Sequence, residues 1–119
     1  MSYAHAWFNR LSIRDQNQIK DLFSVCPLEL RLVSPRYRYS LTHAAPTIIS
    51  SKPSDVLFGL PDAISHLPAD DSYNLSIHGH IPISEPLQVE NHLWIDTYGR
   101  TGQYTFVELS DNGWEILRA

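Results

Sequence analysis

Two of the chain's six histidines, His78 and His80, stand two residues apart in an alternating run. On a strand, that spacing sends both imidazoles off one face. Glu90, His92 and Asp96 share a parity on the next alternating run. Two such strands paired antiparallel would gather imidazoles and carboxylates on one surface. Neutral imidazole with carboxylate is a ligand set for zinc, iron, nickel or copper. The spacing nominates His78, His80, Glu85 and His92 for a transition metal. The plainer reading, which the alternation favours, leaves His78 and His80 as polar side chains on the wet face of a half-buried strand, with no cofactor.

The run His78-x-His80-x-x-x-x-Glu85 resembles the His-x-His-then-Glu core of the first cupin motif, over those eight positions alone. That resemblance implies a metal-ligating site. The sequence departs from the pattern: Ser72 and His92 stand where the flanking glycines would fall, and no histidine follows His92.

Other catalytic signatures are missing. There is no Gly-x-Ser-x-Gly elbow and no phosphate-cradling glycine loop. Cys26, the one cysteine, sits at the apolar end of a predicted helix and reads as a small core hydrophobe. Arg36-Tyr37-Arg38-Tyr39 has the composition of a nucleic-acid stacking platform. Alternation, however, places the phenols and the guanidiniums on opposite faces. The tyrosines belong in the core and the arginines in ion pairs. Trp94 shares the parity of His92 and Asp96, on the polar side of its strand. An exposed tryptophan among acids is the composition of an interface anchor, so Trp94, His92, Asp96 and Glu90 are the candidate interface or pocket residues. Packing of Trp94 beside Trp7 and Phe8 is the competing expectation.

The elements that must position these groups are legible in pattern. Ser12 is a predicted N-cap with Asp15 three residues on, and Ile19, Leu22, Phe23 and Cys26 share one helix face before Pro27 stops the helix. Leu28–Leu32 and Arg36–Leu41 alternate around Ser34-Pro35, a predicted hairpin. Thr47–Ile49 is a candidate short strand, and Pro53 and Pro61 each open a predicted helical turn. Tyr73–Ile83 and Leu87–Asp96 alternate as strands. Tyr98–Gly102 then carries two glycines suited to a tight reversal, and Gln103–Leu109 and Trp114–Leu117 flank Asn112-Gly113, a hairpin signal. Grouped strands with few helices predict an α+β domain spanning 1–119. Its sheet is expected to be mainly antiparallel, of about five or six strands, with the N-terminal helix and short middle helices on one face.

Composition narrows the function classes. The 119 residues are 43% apolar and 18% charged, as in an ordinary folded domain. The net charge of −4 disfavours nucleic acid as a partner. No window has the length of a membrane span, no secretory signal opens the chain, and a lone cysteine asks for no oxidising compartment, so a cytoplasmic protein is expected. With no catalytic signature, the expected function is a non-catalytic binding protein of inhibitor or immunity type. It would act on another protein or on a second copy of itself. The alternative is a small-molecule- or metal-binding protein, or an enzyme, using His78 and His80 on an open sheet face.

Overall fold

The structure is a computed structural model that describes residues 6–48, 52–59 and 66–118. Helix α1 (Ala6–Asn9) leads into α2 (Ile13–Ser24), β1 (Glu29–Val33), β2 (Arg38–Thr42), α3 (Pro53–Phe58) and β3 (Leu75–His78). Then follow β4 (Leu87–Val89), β5 (His92–Trp94), α4 (Tyr98–Thr101), β6 (Thr105–Ser110) and β7 (Gly113–Arg118). The architecture is α+β, as expected from the grouped strands. Among the described residues, no helix is long and apolar enough to cross a membrane.

Five strands form one sheet in the order β1-β2-β3-β5-β4, and β6 and β7 form a second, two-stranded sheet. The large sheet is mixed, which corrects the mainly antiparallel expectation: β3 lies parallel to both β2 and β5. The physical reason is burial on two sides. All four residues of β3 and all three of β5 are buried, and parallel strands belong where both faces are covered. The long connection from β2 to β3 has the length that a parallel crossover needs.

Local chemistry sets several elements as the pattern predicts. The Ser12 hydroxyl accepts from the Asp15 amide at 3.1 Å and caps α2. Pro53 occupies the first turn of α3. The β1–β2 hairpin is closed by the Ser34 amide donating to the Tyr37 carbonyl at 2.8 Å. Other boundaries move. Leu87–Asp96 is not one strand but a tight hairpin, turning at Glu90 with φ 53°. The Tyr98–Gly102 reversal is a helical turn, with Gly102 left-handed at its end. Thr47 and Ile48 form a turn rather than a strand. Most of the predicted turn opened by Pro61 lies outside the described residues.

The two faces of the large sheet carry different chemistry. On one, Tyr39, Leu75, Ile77 and Leu93 are buried, with Leu41 and Ile95 half-buried beside them. The β6–β7 hairpin covers that face with Val107 and Leu109. The Tyr39 hydroxyl donates to this hairpin's turn, 2.7 Å from the Ser110 carbonyl and 2.9 Å from that of Gly113. Asp111 accepts from the Ser34 hydroxyl at 2.6 Å and the Arg36 amide at 2.7 Å, tying the two hairpin turns together. The tyrosines of the Arg-Tyr-Arg-Tyr run thus serve the core, Tyr37 stacking on Tyr39. Leu22 and Phe23, on the apolar face of α2, do not join this core: neither is buried, nor is any residue of α1 or α2.

Leu93 has no solvent exposure. Leu93→Ala should therefore cost about 2–5 kcal/mol in chemical denaturation. Gly113 has φ 118°, a region that β-branched residues avoid. Gly113→Val should lower stability by at least about 1 kcal/mol, seen as a lower melting temperature.

Candidate functional site

The strand register builds the second face row by row. Glu29, Thr42, His78 and Trp94 face one another in sequence across β1, β2, β3 and β5. Arg31, Ser40, Ser76 and His92 form the adjacent row. Parity put the candidate imidazoles and Trp94 on one face, and the structure agrees for His78, His92 and Trp94. It differs on what lies above that face.

The face is roofed by chain. The Trp94 indole donates to the Ala44 carbonyl at 3.0 Å, and Leu67, Ile81, Ile83 and Val89 pack around its ring. The His92 Nε2–H donates to the Pro68 carbonyl at 2.8 Å. Asn91, in the β4–β5 turn, donates to the carbonyls of Asp70 and Tyr73 and accepts from the Asp70 amide. Trp94 and His92 are both 0% exposed. This corrects the expectation of Trp94 as an exposed anchor with His92 at its rim. Nor does Trp94 pack with Trp7 and Phe8. The strand's polar parity marks a buried polar face, not a wet one.

Glu29 is the hub of this face. One carboxylate oxygen accepts from Arg31 Nε at 2.6 Å and the Tyr73 hydroxyl at 2.8 Å. The other accepts from the hydroxyls of Ser40 and Thr47, each at 3.0 Å. Burial works against its charge, but the hydrogen bonds led by Arg31 and Tyr73 outweigh it and hold the acid below its ordinary range.

His78 lies between two hydroxyls, with Nδ1 2.5 Å from Thr42 Oγ1 and Nε2 3.1 Å from Ser76 Oγ. Burial, and secondly the neighbouring His92, lower its pKa to about 3, so the ring is neutral at pH 7. The two imidazole rings are 5.6 Å apart, and that of His78 lies 4.9 Å from the Trp94 ring. Because Pro68 offers only an acceptor, Nε2 of His92 carries the proton. Its Nδ1 is the one buried side-chain polar atom without a partner among the described residues.

The remaining nominated residues scatter. His80 lies beyond the end of β3, with φ 63°, and its exposed ring sits 4.9 Å from that of His43. Glu85 pairs with Arg118 at 3.1 Å. Glu90 is at an exposed turn, and Asp96 lies past the end of β5. His78, His80, Glu85 and His92 do not converge; among the described residues, no three His, Cys, Asp or Glu side chains form a metal-binding group. Cys26 is exposed rather than buried. Sequence reasoning missed Glu29, Ser40, Ser76 and Asn91. The first lies in an alternating run that reads as a solvated face, and its partners Thr47 and Tyr73 are remote in sequence.

Neither a family model nor a curated protein matches the chain. The chemistry of this face must be argued from its own geometry. Each imidazole is held by neighbouring backbone or hydroxyl groups, and the carboxylate is fully engaged. The arrangement acts as a polar core that fastens the roof to the sheet.

The pH dependence follows from His78. Its folded pKa lies below the unfolded value near 6.5, so its contribution is complete above that pH and is lost on acidification, down to about 3. Stability should fall by about 1.4 kcal/mol per pH unit below pH 6.5. Urea denaturation at pH 7 and pH 5 should differ by about 2 kcal/mol, and His78→Gln should remove most of that difference. Glu29 adds to acid loss only at lower pH, since its depressed pKa confines its effect to the carboxylate range.

Proposed function

We propose that the chain is a non-catalytic binding protein that works through a protein–protein interface, in the manner of an inhibitor or immunity protein. The observation that carries this reading is the exposure of apolar residues along the N-terminal helices. Leu22 is 63% exposed, Phe23 68% and Val25 77%, and Trp7 and Ile13 are exposed as well. A groove in the same region runs between Trp7, Leu11, Ile19 and Leu22. The helix is well specified locally: its cap is in place, and Gln16 donates to the carbonyls of Phe8 and Leu11, joining α1 to α2. A helix so defined, with its apolar side chains in water, is a surface that a partner would stabilise by covering.

Net charge suggests the partner's character. An excess of 13 acidic over 9 basic residues favours a basic partner, which long-range attraction would draw in. Trp94 and His92 are not the contact groups in this reading, since both are sealed under the roof. The protein acts as one domain in the cytoplasm, where the exposed thiol of Cys26 stays reduced.

Leu22→Ala with Phe23→Ala tests this directly. Stability should change by less than about 0.5 kcal/mol, because neither side chain is buried. Capture of the partner from lysate should weaken by roughly 2 kcal/mol or more if Phe23 is a hot spot. A stability loss of several kcal/mol with capture unchanged would place these residues in the chain's own core and end the proposal.

A further inference from the structure

We infer that the open edge of β1 pairs with β1 of a second copy, antiparallel about a twofold axis through Leu30. This goes beyond the helical surface proposed above and does not depend on it. β1 is the first strand of the order β1-β2-β3-β5-β4, so among the described residues it has one neighbouring strand. Its register with β2 is continuous, with no bulge, and it contains neither proline nor lysine. Proline, lysine and a bulge are among the devices that guard edge strands, and β1 has none of the three; the charges it carries are Glu29 and Arg31.

The hydrogen-bond phase determines which groups point outward. The closing bond from the Ser34 amide to the Tyr37 carbonyl makes Leu32–Tyr39 and Leu30–Leu41 the hydrogen-bonded pairs of the hairpin. The peptide groups of Glu29, Arg31 and Val33 therefore face away from β2. A second β1 must meet them with its own outward groups, which restricts the twofold axis to positions on a residue rather than between residues. An axis on Glu29 sets carboxylate against carboxylate. An axis on Arg31 sets guanidinium against guanidinium. An axis on Leu32 sets Arg31 against Val33.

The axis on Leu30 alone matches everything. Glu29 faces Arg31 of the second copy, and the reverse pair repeats across the axis. Leu30 faces its own counterpart, and Leu28 faces Leu32 in both directions. Opposite charges and apolar pairs placed directly across strands each stabilise the ladder. Leu30 is 50% exposed and Leu32 40%, and the Arg31 side chain is 69% exposed; the Glu29 side chain, 9% exposed, already holds its own donors, so the apolar pairs and the outward peptide groups carry the contact. A groove of about 320 Å³ opens beside Leu32, Tyr39 and Leu109. Leu28 of the second copy would enter its mouth.

Sedimentation velocity and crosslinking test the register. The full chain should sediment as a dimer at about 100 μM, and Leu30→Lys, which sets two ammonium groups opposite each other, should weaken dimerisation at least about tenfold. In a Cys26→Ser background, diamide should link Leu30→Cys into a disulfide dimer, because a non-hydrogen-bonded pair has its Cα atoms about 4.5 Å apart. Leu32→Cys alone should not link, whereas Leu28→Cys with Leu32→Cys should. The Leu22→Ala, Phe23→Ala variant should remain dimeric, which separates this inference from the helical interface. A monomer at that concentration, or a dimer that resists Leu30→Lys and gives no Leu30→Cys crosslink, would overturn it.

Discussion

A carboxylate taken out of water must find donors, and Glu29 finds four of them on separate parts of the chain. Arg31 comes from its own strand, Ser40 from the neighbouring strand, Thr47 from the start of the long connection and Tyr73 from its end. The connection therefore leaves the sheet and returns to it within reach of one side chain. This closure lets β3 follow β2 in parallel, because it holds a roof over strands that would otherwise bury only one face. Loss of the Glu29 side chain would leave three hydroxyl groups and a guanidinium without their acceptor, which costs more than any one of those bonds contributes.

Under the roof, the histidines act as hydrogen-bonding core residues. His78 is neutral because the site is dry, and a neutral imidazole can be donor to one hydroxyl and acceptor from another. His92 uses one nitrogen to hold Pro68 and leaves the other without a partner. That orphan is a cost of roughly 1–3 kcal/mol that the packing around Trp94 and Leu67 must offset. The opposite face needs no such network, since Leu75, Ile77 and Leu93 meet the β6–β7 hairpin with apolar groups. One sheet thus carries an apolar core on one side and a hydrogen-bonded core on the other.

With both faces occupied, the apolar groups left in water lie at the periphery. The apolar residues of α1 and α2 and the open edge of β1 are exposed because the sheet has no further face for them to cover. The two surfaces differ in kind. A helix offers side chains, so its specificity depends on shape and charge. A strand edge offers a row of peptide groups, whose phase restricts the partner strand's register.

Local chemistry in the sequence determined much of this protein. Ser12 with Asp15 specifies the start of α2, Ser34-Pro35 the first hairpin turn, Pro53 the start of α3, and Asn112-Gly113 the last hairpin. Each depends on groups within a few residues of one another, so each is written in the chain. The alternation also placed His78, His92 and Trp94 on a common face. Tertiary structure decided whether that face was wet or dry, because the roof comes from residues some twenty to fifty positions away. It also decided the direction of β3 and the break at Glu90, where a non-glycine residue takes positive φ beside Asn91, whose side chain is anchored to Asp70 and Tyr73. Period-two polarity reports which residues share a side of a strand. What covers that side is a property of the whole chain, and here it turned a candidate surface into a core.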